Sequence, residues 1–156
     1  MVPRRALEPH GGAPRLVRLG GRDRGRTPMP WTPDGGFTAD GSEPWLPLGD
    51  TERNVADQRD DPGSMLHLCR DLIALRRERT DLASGAYESI DAPDGVWAWR
   101  RGDATVVALN HDDAPATLAI GAATVLIATD RARDGEHVDG VIRLDPWEAL
   151  VLDERG

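Results

Sequence analysis

The stretch from Pro62 to about Arg79, PGSMLHLCRDLIALRRER, constrains this chain most. Its apolar residues Met65, Leu68, Cys69, Leu72, Ile73 and Leu75 recur mostly at steps of three and four, which draws one stripe down a helix. Asp61 reads as the N-cap and Pro62 as the first helical residue, because a proline there gives up no hydrogen bond. Arg76, Arg77 and Arg79 crowd the last turn, where the carbonyl end of the helix dipole favours cations. Each stripe residue would contribute roughly 1.5–3 kcal/mol if buried. Such a helix needs a partner surface.

The text on either side of the helix supplies that partner on one side only. From Ala83 onward, short β-rich runs alternate with turn residues. Gly85–Ile90, Val96–Arg101, Ala104–Asn110, Ala116–Ile120, Thr124–Ala128, Val141–Leu144 and Glu148–Leu152 are predicted strands. Arg101-Gly102-Asp103-Ala104, between two such runs, predicts a hairpin. The fold class expected is mainly β with one long helix, the strands forming a small antiparallel sandwich-like or barrel-like sheet. A domain of about 75 residues buries only about 60–65% of its unfolded surface, so the helix is expected to cover one sheet face.

Before the helix, residues 27–60 show no sustained period. Prolines 28, 30, 33, 44 and 47 and the pair Gly35-Gly36 punctuate them, and proline lacks the donor that helices and central strands need. A structureless stretch of this length is usually a functional rim loop or disordered. Met29, Trp31, Phe37, Trp45 and Leu46 are expected to anchor it on a surface, one that need not lie in this chain. Residues 1–25 are Arg, Gly and Pro with scattered apolar residues, and an irregular or disordered basic start is expected.

Charge narrows the function classes. All 19 basic side chains are arginines, and the formal net charge is −8. Residues 1–26 carry seven Arg against Glu8 and Asp23, while the rest carries 12 Arg against 25 acids. An acidic body argues against nucleic-acid binding, although the basic start could act as a binding arm. Cys69 is the one cysteine, so no internal disulfide can form, and its place on the stripe predicts a small core residue. No apolar run reaches the ~18–20 residues of a membrane span. The first residues lack the apolar core of a secretory signal, so no membrane association is expected and the default location is the cytoplasm.

Several words in order carry a resemblance: RTPMPW (Arg26–Trp31), Gly36-Phe37, PWLPL (Pro44–Leu48), Asn54-Val55, and then the S-M-L-x-L-x-R-x-L-I-x-L-R helix. Together they resemble the end of an α-glucosidase of glycoside hydrolase family 13, the α-amylase family, in its oligo-1,6-glucosidase branch. Trehalose synthase and sucrose-acting enzymes lie nearby. GVWAWRRGDATVVALNHDD (Gly95–Asp113) is similar to the family's C-terminal domain. The resemblance implies a (β/α)8 barrel followed by an antiparallel β-sandwich. Residues 26–81 would then be the barrel end, comprising a long loop and the last barrel helix at 62–79, and residues 82–156 the C-terminal domain. It also implies that Arg26 lies near a substrate-binding rim, although RDRGR stands where the family carries a short Asp-Gly-Cys between an Arg-Asp and that arginine.

The same resemblance implies that the family's nucleophile aspartate, acid–base glutamate and stabilising aspartate lie on earlier barrel strands, with no counterpart here. The chain is therefore expected to be a truncated or frame-shifted C-terminal piece, inactive alone. Its acids cluster as Asp60-Asp61, Asp112-Asp113 and Asp153-Glu154, in turn-like contexts where neighbouring carboxylates point apart. A glycosidase needs two carboxyl groups held about 5–5.5 Å or about 6.5–9.5 Å apart. No catalytic residue is assigned. His10, His67, His111 and His137 lack metal-site spacing, so neither a metal nor a cofactor is expected. Trp97 and Trp99 alternate on a predicted strand and share a face. Outward they would form a sugar-stacking pair, inward they would be core, and with few other aromatics to fill a sandwich the core reading is favoured. Trp147 is expected to pack at the edge of the last strand. The partners expected are an oligosaccharide or a separately encoded barrel domain.

Overall fold

The computed structural model describes residues 26–39, 41–42 and 44–155; the expected basic start at 1–25 lies outside the described residues. The chain forms two compact units, Met1–Asn54 and Val55–Gly156.

The described part of the first unit is irregular, as its prolines require. Thr32 and Gly35 close a tight turn through Gly35 N–H to the Thr32 carbonyl at 2.9 Å. Pro33 supplies the fixed φ, while Gly35 sits at φ +101°, a conformation that favours glycine. Any Cβ on Gly35 would stand 2.9 Å from a Leu48 methyl, so the turn rests against that side chain. Met29, Trp31, Phe37 and Trp45 are all exposed.

The second unit opens with three helices: α1 (Val55–Asp60), α2 (Met65–Glu78) and α3 (Thr80–Ser84). The expected single helix from Pro62 to Arg79 is thus shorter, and the preceding stretch is not wholly loop. Asp61 is not the N-cap. Its carboxylate accepts the Gly63 N–H at 2.9 Å in a turn, and Ser64 caps α2 by accepting the His67 N–H. Gly63 explains the shift, since a flexible residue two places after Asp61 lets the chain turn before the helix nucleates. Gln58 of α1 completes the start of α2: its side-chain oxygen accepts Leu66 N–H at 3.1 Å, and its carbonyl accepts the Ser64 hydroxyl at 2.7 Å.

Eight strands follow: β1 (Tyr87–Ile90), β2 (Val96–Arg101), β3 (Thr105–Asn110), β4 (Ala116–Ala119), β5 (Ala123–Ala128), β6 (His137–Val138), β7 (Val141–Leu144) and β8 (Ala149–Asp153). Six form an antiparallel sheet in the order β1-β2-β3-β8-β5-β6, and β4 pairs with β7 in a second sheet. The β2–β3 hairpin occurs at the expected place, with Arg101 opposite Thr105 and Gly102 at φ +61°. The two-residue strand β6 was not expected from sequence; it is too short for a period to register.

Alternation along the strands sorts the side chains. Val96, Ala98, Val106, Ala108, Val125, Leu150 and Leu152 of the large sheet share one core with Leu118, Ile142 and Leu144 of the small one. A bulge between Val125 and Ile127 breaks the alternation on β5, so Val125 faces Leu152 while Ile127 pairs with Val151 on the opposite face.

Candidate functional site

The opposite face of the large sheet is also apolar, which an antiparallel sheet with one solvated face would not require. Trp99, Val107, Ile127 and Val151 meet Leu68 and Leu72 of α2 around a cavity of about 210 Å3. Leu68 is the buried residue of the helix, at 8% exposure. The predicted stripe therefore divides in two. Leu68 and Leu72 turn to the sheet, Leu72 still 36% exposed, whereas Met65, Cys69 and Ile73 fall on the neighbouring side and are exposed, Ile73 at 53%. The core reading of Cys69 is thus corrected: steps of four from Met65 trace a second line about a quarter-turn away from the first.

Beside α2, the same face carries aromatic rings. Trp97 and Trp99 have centroids 4.6 Å apart with ring planes tilted by 44°. Tyr87, on the edge strand β1, stacks toward Trp99 at 6.4 Å and 29°. Trp97 is 54% exposed, Tyr87 53%, and Trp99 is half-buried. The expectation that the two tryptophans fill the core is overturned. Val96 and Ala98 take the inward places, small residues being sufficient there because β4 and β7 cover that face closely. Sequence reading missed Tyr87. Its alternation with Ser89 in YES was the available signal, since the register sets Ser89 opposite Trp99 and Tyr87 opposite Arg101.

Arg26 is exposed at the start of the described segment. Trp147 is exposed in the turn before β8 rather than packed against the strand; it holds φ +59° and donates its indole N–H to Asp113 at 2.8 Å.

The half-buried acids are matched by arginines. Glu148 is buried and accepts from Arg133 at 2.7 Å and from Asp145 N–H at 2.8 Å. Glu154 pairs with Arg100, and Asp153 with Arg79 and Arg155. Burial pushes the Asp153 carboxyl up, but hydrogen bonds from Arg79 and Arg155 outweigh it and hold the group below its ordinary value. The Arg133 guanidinium likewise lowers Glu136. A glycosidase acid requires a raised pKa, the opposite direction. Asp61 and Asp112 serve turns, Asp61 accepting Gly63 N–H and Asp112 accepting Ala114 N–H. Among the described residues no group of three or more His, Cys, Asp or Glu gathers as a metal site, and no helix is long and apolar enough to cross a membrane.

The family description "Alpha amylase, catalytic domain" matches residues 12–85, which takes in all three helices. The glucan 1,6-alpha-glucosidase of Streptococcus dysgalactiae subsp. equisimilis is 35% identical over 87% of this chain and 26% of its own length. The oligo-1,6-glucosidase of Halalkalibacterium halodurans is 34% identical over 92% of this chain and 28% of its own. The chain belongs to glycoside hydrolase family 13, the α-amylase family.

Among solved structures, the trehalulose synthase MutB of Pseudomonas mesoacidophila MX-45 superposes with a TM-score of 0.72 at 28% identity. That match covers 85% of this chain and 26% of MutB. The family-13 chain thus spans about a quarter of the length of the relatives it matches.

Proposed function

We propose that this chain is the C-terminal portion of an α-glucosidase-like glycoside hydrolase whose complete form cleaves terminal α-glucosidic bonds of short oligosaccharides by a two-carboxylate retaining mechanism. The observation that carries this reading is the run of similarity to oligo-1,6- and glucan 1,6-α-glucosidases over most of the chain. On this reading residues 26–81 correspond to the end of the catalytic barrel, with α2 as its last helix and Arg26 near the substrate rim. Residues 82–156 correspond to a C-terminal β-sandwich, and the location is cytoplasmic. The exposed line Met65, Cys69 and Ile73 faces the remainder of the catalytic domain.

The chain alone does not hydrolyse glucosides on this reading, because Glu148, Asp153 and Glu154 are each engaged by arginine. Assay of the purified 156-residue protein with p-nitrophenyl α-glucoside tests this; turnover above the buffer rate would overturn it. Co-purification with a separately supplied barrel domain tests complementation, and Ile73→Glu is expected to abolish that association.

A further inference from the structure

The aromatic group on the outer sheet face is a surface that the hydrolase reading leaves without a role. We propose that Tyr87, Trp97 and Trp99 form a platform for a short neutral α-glucan. Three features support this occupant. The rings are contiguous, and Trp97 and Tyr87 are each about half exposed, so an apolar sugar face can lie on an indole already held by its neighbour. Hydroxyls flank the rings, since the register brings Tyr87 and Ser89 onto the strand beside Trp99, where they can exchange hydrogen bonds with sugar hydroxyls. The charge on this face is Arg101, opposite Tyr87, whose Nε–H donates to the Asp81 carbonyl at 3.5 Å, while Glu88 alternates to the other face and pairs with Arg100. That guanidinium is engaged within the fold, so the face suits an uncharged polyol.

Position separates this platform from the surface assigned to the rest of the catalytic domain. The helix covers the sheet from Trp99 toward β5, leaving Trp97 and the edge strand β1 outside it. The side of α2 carrying Met65, Cys69 and Ile73 is a different patch. The inference rests on the family reading only for the choice of glucose as the sugar.

Tryptophan fluorescence of the whole chain, titrated with isomaltotriose and separately with maltotriose, tests the proposal. Saturable change in the millimolar range is expected, weakened at least about tenfold by Trp97→Ala and unchanged by Trp147→Ala. Tyr87→Ala, at the sheet edge, serves the same purpose if Trp97→Ala fails to fold by circular dichroism. A flat titration of the folded wild-type chain would overturn the proposal. So would unweakened binding by both folded platform variants, or sedimentation showing that Trp97 mediates self-association of the chain. None of these outcomes bears on the hydrolase reading, which stands or falls on turnover and complementation.

Discussion

Arg79, the residue that closes α2, stands 2.7 Å from the carboxylate of Asp153 at the end of β8. One ion pair thereby joins the helix to a central strand of the large sheet. Asp153 is held below its ordinary value of 3.8: burial would raise it, and pairing with Arg79 and Arg155 outweighs that. A carboxyl depressed in the folded state adds stability that is complete above the unfolded value and lost as the pH falls through the folded one. Asp153→Asn should therefore cost about 1–2 kcal/mol at pH 7, with the gap from wild type closing below about pH 4. Urea denaturation at pH 7 and pH 3 measures this, and an equal gap at both would refute it.

Glu148 is the buried acid of the β-domain, at 5% exposure, with Arg133 and the Asp145 amide as partners. Removing it strands a guanidinium that keeps only Glu136 and the Arg143 carbonyl. Glu148→Ala is expected to cost about 2–3 kcal/mol, somewhat less than for a fully isolated buried pair. Glu148→Gln keeps an acceptor for the amide and should cost about 1 kcal/mol. Thermal melts decide; indistinguishable midpoints for the two variants would contradict this account.

The two lines along α2 predict opposite sensitivities. Leu68→Ala removes a buried side chain beside an existing cavity and should destabilise by about 2–3 kcal/mol. Ile73→Ala, on the exposed line, should change stability by less than about 0.5 kcal/mol. Chemical denaturation of both variants provides the comparison, and similar losses would place the two lines on one buried face.

Gly102 occupies the β2–β3 hairpin at φ +61°, and a Cβ there would lie 2.7 Å from the Asp81 carboxylate. That carboxylate accepts the Thr105 hydroxyl at 3.2 Å, so it cannot retreat without loss. Gly102→Ala should cost at least about 1–2 kcal/mol from backbone conformation alone. Its refolded midpoint in urea is the measurement; a value matching wild type would mean the turn relaxes freely.

The strands were legible in the sequence because turn residues bracket them. Val96–Arg101 and Val141–Leu144 stand as expected, and other ends moved by one or two residues. What sequence could not supply was which face of a strand is covered. Trp97 and Val96 are adjacent and both apolar, so alternation alone cannot say which points inward. The small sheet β4–β7 decides it by packing over Val96 and Ala98. The helix raised the same difficulty: the six stripe residues within eleven positions fit one broad stripe or two narrow ones. The cap was misplaced for a local reason, because Asp61 and Ser64 are both good N-caps and only the turn at Gly63 separates them. The aromatic group needed β1 and β2 in register before Tyr87 could be seen beside Trp99.

The strand order places β8, which follows the other seven strands in the chain, between β3 and β5. Until residues 149–153 emerge, β1-β2-β3 and β5-β6 have no hydrogen-bonded neighbour to join them. The large sheet therefore cannot close until residues 149–153 have been synthesised, and a stop codon before residue 149 would leave two unjoined halves with sticky edges.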